Sequence, residues 1–209
     1  MSLTVEKAVL SRGVIFDLVE RMFLVLLGFS AFVRLLPAVT REPAVALILI
    51  SEGLAVVFIL LRKSAVRADI SPYAAGIGFL GTAAPLLVTA SGHELTPSAV
   101  GGGLMLAGLL LTIAAKVALN RSFGVTAANR GVKRAGPYRW LRHPMYAGYL
   151  TTQIAFLLLN PSPWNIGVYA VAWSVQVLRI RAEERVLLED PAYQAYAEGV
   201  RFRLLPGVY

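Results

Sequence analysis

Two adjacent glutamates, one histidine and a group of cations near the C-terminus hold most of the chemistry this sequence can do. In 136-GPYRWLRHPMYAGYL-150, Arg142 and His143 stand directly before Pro144, which reads as the first residue of a helix. A helix N-terminus is already positive, so cations there cost about a few tenths of a kcal/mol unless an anion joins them. The free N–H groups of the first turn attract the same anion. The pair therefore predicts an anion site, with a plain excess of cations before a membrane span as the alternative. Tyr138, Trp140, Tyr146 and Tyr149 surround it, either as an interfacial belt or as flanks for a planar ligand.

Downstream lies 179-RIRAEERVLLED-190, with Arg179 and Glu183 one helical turn apart. Spacing alone predicts a solvated helix with surface ion pairs for Glu183 and Glu184. Upstream, Glu52 interrupts LILISEGLAVVF. A carboxylate at bilayer depth marks either a substrate pocket or a buried pair, here with Arg34. There is no cysteine, which excludes thiolate metal sites and cysteine nucleophiles, and His93 and His143 are too far apart to suggest a metal site. Gly101-Gly102-Gly103 is no phosphate loop, because neither a strand nor a Lys-Ser/Thr pair flanks it. Gly76, Gly78, Gly81 and Gly108 join these three as sites where helices pack closely.

The elements that must position these groups are membrane helices. Of 209 residues 57% are hydrophobic and 15% charged, with a mean hydropathy of +0.66. Apolar runs at 22–37, 43–61, 73–90 and 99–118 are long enough to cross a bilayer, and shorter ones follow at 144–159 and 163–179. Ser71-Pro72, Thr96-Pro97 and Ser162-Pro163 each read as an N-cap before a first-turn proline, as does His143-Pro144. Asp190-Pro191 opens a short helix that Gly199 ends. Alternate loops hold 18 Lys and Arg residues against Arg34 and Arg41 on the other side. That asymmetry predicts an all-α, multi-pass bundle of about five to six spans with both termini cytoplasmic. The net charge of +8 then reflects topology and lipid headgroups, not nucleic acid.

GPYRWLRHPMYAGY, the NPSPW turn, RAEERVLLED and YQAYAEGVRFRLLPG occur in that order, and together they resemble the isoprenylcysteine carboxyl methyltransferase family and the related phospholipid methyltransferases. The resemblance covers about 119–209 and divides the chain into N-terminal transmembrane helices, 1–118, and a methyltransferase core, 119–209. It implies an integral-membrane enzyme using S-adenosylmethionine on a lipid-like acceptor, such as the carboxylate of a prenylated cysteine. It implies the inner membrane of a bacterium or the endoplasmic reticulum of a eukaryote. Carried over by motif, the cofactor residues are Tyr138, His143, Tyr146, Gly148, Glu183 and Glu184, with Arg142 as a donor beside His143. Arg201 and Arg203 match the basic tail near the acceptor's reactive end, and Glu184 or Glu52 would take a proton from an amine acceptor. No metal is implied. A phospholipid or amine N-methyltransferase remains an alternative, as does an NADPH-dependent sterol-type reductase, whose tail the PGVY ending resembles.

Overall fold

The structure, a computed structural model, describes residues 3–39, 44–63, 65, 67–69, 71–89, 94–205 and 207. Arg41, His93, Pro206 and Tyr209, and the side chain of Arg34, lie outside the described residues, so the expected Arg34–Glu52 pair falls there too. Among the described residues seven α-helices follow in order: α1 (Leu3–Leu35), α2 (Ala44–Leu60), α3 (Pro72–Ala83), α4 (Ser98–Leu119), α5 (Pro144–Leu159), α6 (Pro163–Leu187) and α7 (Pro191–Gly199). Among the described residues, a single antiparallel pairing joins β1 (Arg67–Ala68) to β2 (Ala128–Asn129).

Within the described residues each of the six apolar runs falls largely on helix, the third leaving it after Leu87. Among the described residues, one segment, Ser98–Ser122, is both long and apolar enough to cross a membrane; Ile48–Leu60 and Pro72–Leu87 are shorter apolar helices. At 33 residues and 1.5 Å per residue, α1 is about 50 Å long and outruns a bilayer core of about 30 Å.

The starts follow local chemistry. Ser71 accepts from Ala74 N, Ser162 from Asn165 N and Asp190 from Ala192 N, each before a proline in the first turn. Two expectations move. The cap of α4 is Pro97 itself, with no side-chain bond, so Thr96 does not cap it. Gly199 is the last helical residue of α7 and Val200 the C-cap.

α4 packs most closely on α5, because small residues let the backbones approach. A Cβ on Gly108 would strike Thr152, and one on Gly148 would strike Thr112 and the Gly108 carbonyl. Gly78, Gly81 and Gly101 also lie against neighbours, whereas Gly76, Gly102 and Gly103 face open space. At the far end, the fully buried Asn165 bonds the backbone of Thr89 and the Asn160 carbonyl, pinning the α5–α6 turn to the end of α3's extension.

Candidate functional site

The anion predicted at the start of α5 comes from the chain. His143 is the N-cap of α5, yet its ring makes no capping bond. Its Nε2 lies 2.8 Å from Glu184 Oε1 and its Nδ1 3.6 Å from Glu183 Oε2. Arg142 Nη1 donates to Glu184 Oε2 at 2.5 Å, and the Tyr193 hydroxyl donates to Glu184 Oε1 at 2.7 Å. Glu184 thus answers the dipole at α5 from helix α6, with only 4% of its surface exposed. The ion pairs expected along the α6 surface do not hold it; its partners come from α7 and the α4–α5 connection.

The C-terminal tail closes this cluster through backbone bonds. Arg142 N donates to Phe202 O at 2.9 Å, and His143 N to Arg203 O at 2.8 Å. Tyr196 donates from its hydroxyl to Tyr138 O at 2.7 Å. These contacts fix the tail by its carbonyls. The Arg201 side chain is exposed, and Arg203 Nε lies 3.5 Å from Glu184 Oε2. Neither arginine lines the two cavities described below.

Charge follows from this packing. Burial works against ionising Glu184, but hydrogen bonds from His143 and Tyr193 and the charge of Arg142 hold its carboxyl down at about 2. Burial likewise opposes charge on Glu183, yet His143 and Tyr146 keep it below the usual carboxylate value. Burial alone would lower His143, but the two carboxylates raise it above 6.5. An imidazolium flanked by two carboxylates is the consistent state.

Beside the cluster lies a cavity with about 740 Å³ of empty space, open solvent within it included. Glu183, Tyr138, Tyr193 and Tyr196 line it together with the loop 122–133. Two of the expected cofactor residues have other surroundings. Gly148 serves the α4–α5 crossing and lines neither cavity. Glu184 also lines neither, its oxygens being taken by the protein.

Arg130, which the sequence offered only as a loop cation, borders this cavity. Its Nε is buried and makes no hydrogen bond. Burial, with Arg62 nearby, lowers its pKa to about 10. An unsatisfied buried donor on a cavity wall suits an anionic group there.

A second cavity, with about 1540 Å³ of empty space, runs among the helices. It is lined mostly by apolar groups, with Glu52, Lys116, Gln153, Gln176 and Arg179 as polar ones. Lys116 is a correction: counted among loop cations, it lies inside α4 and is 1% exposed. Its ammonium donates to Ser51 O and Ser51 Oγ, both at 2.9 Å, and stands 3.6 Å from Glu52 Oε1. Arg179 donates to Val125 O at 3.0 Å and lies over the Tyr146 ring, 5.2 Å from its centre. The aromatics of the motif thus divide: Trp140 is 70% exposed, Tyr138 and Tyr146 border the first cavity, and Tyr149 borders the second.

Gly124 and Met145 line both cavities, so the two spaces adjoin there. The loop at that junction is held by Glu20 of α1, which accepts from Val125 N and from Thr126 N at 3.1 Å. Arg62 pairs with Glu20 at 2.8 Å and with Asp17. The only trace of this role in the sequence is the Asp17–Glu20 spacing, which puts two acids on one face of a helix.

Compared with known proteins, residues 103–189 match one family, described as the Isoprenylcysteine carboxyl methyltransferase (ICMT) family. No curated protein matches the chain.

Proposed function

Because residues 103–189 carry the pattern of that methyltransferase family, we propose that the chain is a multi-pass membrane enzyme transferring a methyl group from S-adenosylmethionine to a lipid-like carboxylate. A prenylated cysteine is the acceptor class proposed. The observation that carries this reading is a pair of adjoining cavities that share Gly124 and Met145 in their walls, the first lined by Arg130, His143 and Glu183 and the second running among the helices. A methyl transfer needs such a junction, since donor and acceptor arrive from different phases and must be aligned.

The residues of the first cavity suit the cofactor. Arg130 provides a buried donor for its carboxylate, Glu183 an acceptor for its ammonium or ribose hydroxyls, and Tyr138, Tyr193 and Tyr196 faces for its adenine. When bound, it supplies an electrophilic methyl group on a sulfonium. Arg142 and His143 line this cavity as well, and with Glu184 behind them they fix α5 against α6 and the tail. In the second cavity the tail of the acceptor lies among apolar side chains. Arg179 and Lys116 turn its carboxylate toward Met145. A carboxylate acceptor needs no general base. Glu52 supports a second reading, an amine acceptor whose proton it would take. Cytoplasmic termini follow from the 18-to-2 cation balance, and the first cavity then opens to the cytoplasm.

Calorimetry of the purified protein with S-adenosylhomocysteine and with NADPH tests the reading. Binding of S-adenosylhomocysteine alone is expected. Binding of NADPH alone would overturn it in favour of the reductase. Labelled methyl transfer to prenylcysteines but not to aminophospholipids would then fix the acceptor class.

A further inference from the structure

Residues 123–128 form part of the partition between the two cavities. Thr126 and Ala128 border the first, Phe123 and Val125 border the second, and Gly124 borders both. Successive residues face different cavities, so the partition is one chain thick here. On either side the chain is tied by backbone bonds: Lys63 N donates to Arg121 O at 2.8 Å, and Asp69 N to Ala127 O at 2.9 Å. Between these ties, the N–H groups of Val125 and Thr126 both donate to Glu20 Oε1, and the Thr126 hydroxyl donates to Glu20 Oε2 at 3.3 Å. Glu20 is 1% exposed and stands 105 positions from Val125. From the opposite side Arg179 donates to Val125 O at 3.0 Å. The middle of the partition is thus suspended between one carboxylate and one guanidinium.

Charge balance alone does not call for this. Arg62, the cation paired with Glu20 at 2.8 Å, already bonds Asp17 through its Nε at 2.9 Å and through its Nη2. What Glu20 adds is reach, from α1 to the partition. Gly124 makes the partition sensitive to that reach. A Cβ there would lie 2.7 Å from Arg130 Nη1, so the guanidinium that borders the first cavity packs directly on the chain.

Resting on the proposed methyltransferase reading, we infer that Glu20 is a positioning residue for methyl transfer. By setting where 124–126 lie, it sets the spacing between Arg130 on the donor side and Arg179 on the acceptor side. It belongs to the first helix, outside residues 103–189, so α1 supplies alignment that the family segment does not contain. A small shift of the partition leaves each ligand its contacts but spoils the in-line approach, which costs rate more than affinity.

Two variants separate reach from charge. Glu20→Asp keeps the charge and shortens the side chain by one methylene. Glu20→Gln keeps the length and an oxygen for Val125 and Thr126, and loses the charge. The full chain is reconstituted in phosphatidylcholine vesicles. Turnover of N-acetyl-S-farnesylcysteine is divided by the S-adenosylhomocysteine sites counted by calorimetry, so that unfolded protein does not count. Glu20→Asp should lower kcat by about a hundredfold, with acceptor KM and S-adenosylhomocysteine Kd each within about threefold. Glu20→Gln should recover all but about fivefold of that kcat, while its thermal midpoint falls because Arg62 loses a partner. An unchanged kcat in Glu20→Asp, with only a lower midpoint, would make Glu20 a plain scaffold and overturn this role. Equal losses of kcat in the two variants would overturn it as well, as would a fall in S-adenosylhomocysteine affinity as large as the fall in kcat.

Hydrogen exchange reads the partition without turnover. The amides of Val125 and Thr126 should exchange about tenfold faster in Glu20→Asp than in Glu20→Gln, with α5 and α6 unaltered. Equal exchange in the two variants would overturn the role of reach. If the unaltered protein methylates no prenylcysteine, the acceptor assignment fails, and the exchange still decides whether Glu20 places the partition.

Discussion

Glu184 and Glu52 are both carboxylates in a chain poor in charge, and the structure treats them in opposite ways. Glu184 is enclosed by Arg142, His143 and Tyr193, all within 2.8 Å, with Arg203 at 3.5 Å. Glu52 is half-exposed, stands 3.6 Å from one lysine and faces a cavity on either side. A carboxylate whose lone pairs are all taken holds the fold together. One that is loosely paired beside open space can meet a ligand. The lesson is that the twin acids of the motif are not equivalent: Glu184 ties helices together, and Glu183 lines the cavity.

The sharpest way to break that contrast is Glu184→Ala. It strands Arg142 and His143 without their buried partner and should cost about 3–5 kcal/mol, read as a large fall in thermal midpoint. A normal midpoint would show that Glu184 is no scaffold. Next comes Arg130→Met, which removes the unsatisfied donor from the first cavity. S-Adenosylhomocysteine affinity should drop by about ten- to a hundredfold with the midpoint nearly unchanged; unchanged affinity would remove Arg130 from the cofactor site. Glu183→Gln should weaken the same binding by about tenfold, since the amide keeps the shape but not the charge. Glu52→Gln should move acceptor KM by less than about tenfold and leave both cofactor affinity and stability alone. A fall in stability there would mean that Glu52 resembles Glu184 after all.

Acidity gives the mildest test. Glu184 ordinarily titrates at 4.5 and is held at about 2, so its stabilisation is complete above 4.5 and lost as pH falls toward 2. His143 is raised above 6.5, so its stabilisation is complete below 6.5 and lost as pH climbs through the raised value. Both act fully between 4.5 and 6.5. The midpoint should be flat in that window and decline on each side, and Glu184→Gln should flatten the acidic limb.

Periodicity and turn chemistry made much of the fold legible. The six apolar runs, the Ser71, Ser162 and Asp190 caps and the short helix after Asp190 all lie where side-chain type and local spacing put them. The motif residues were legible for a different reason, the order of four short patterns. Their individual duties were not, because spacing along one helix says nothing about partners on another. Glu183 and Glu184 read as a surface pair with Arg179, and instead face α5 and α7. Lys116 read as a loop cation because it closes an apolar run, where a buried lysine and an interfacial one look alike.

The sequence by itself determined that this chain forms apolar helices with prolines at their starts, carries an excess of cations and has the motif of one enzyme family, because those are local properties of residue type and order. Tertiary structure alone decided that Glu20 of the first helix holds the loop between two cavities, that Glu184 meets Arg142 and His143 from another helix, and that Lys116 reaches Ser51 and Glu52. Each of these joins residues some 40 to 105 positions apart. The energy of a buried charge depends on what packs around it, and that is set only when distant helices meet.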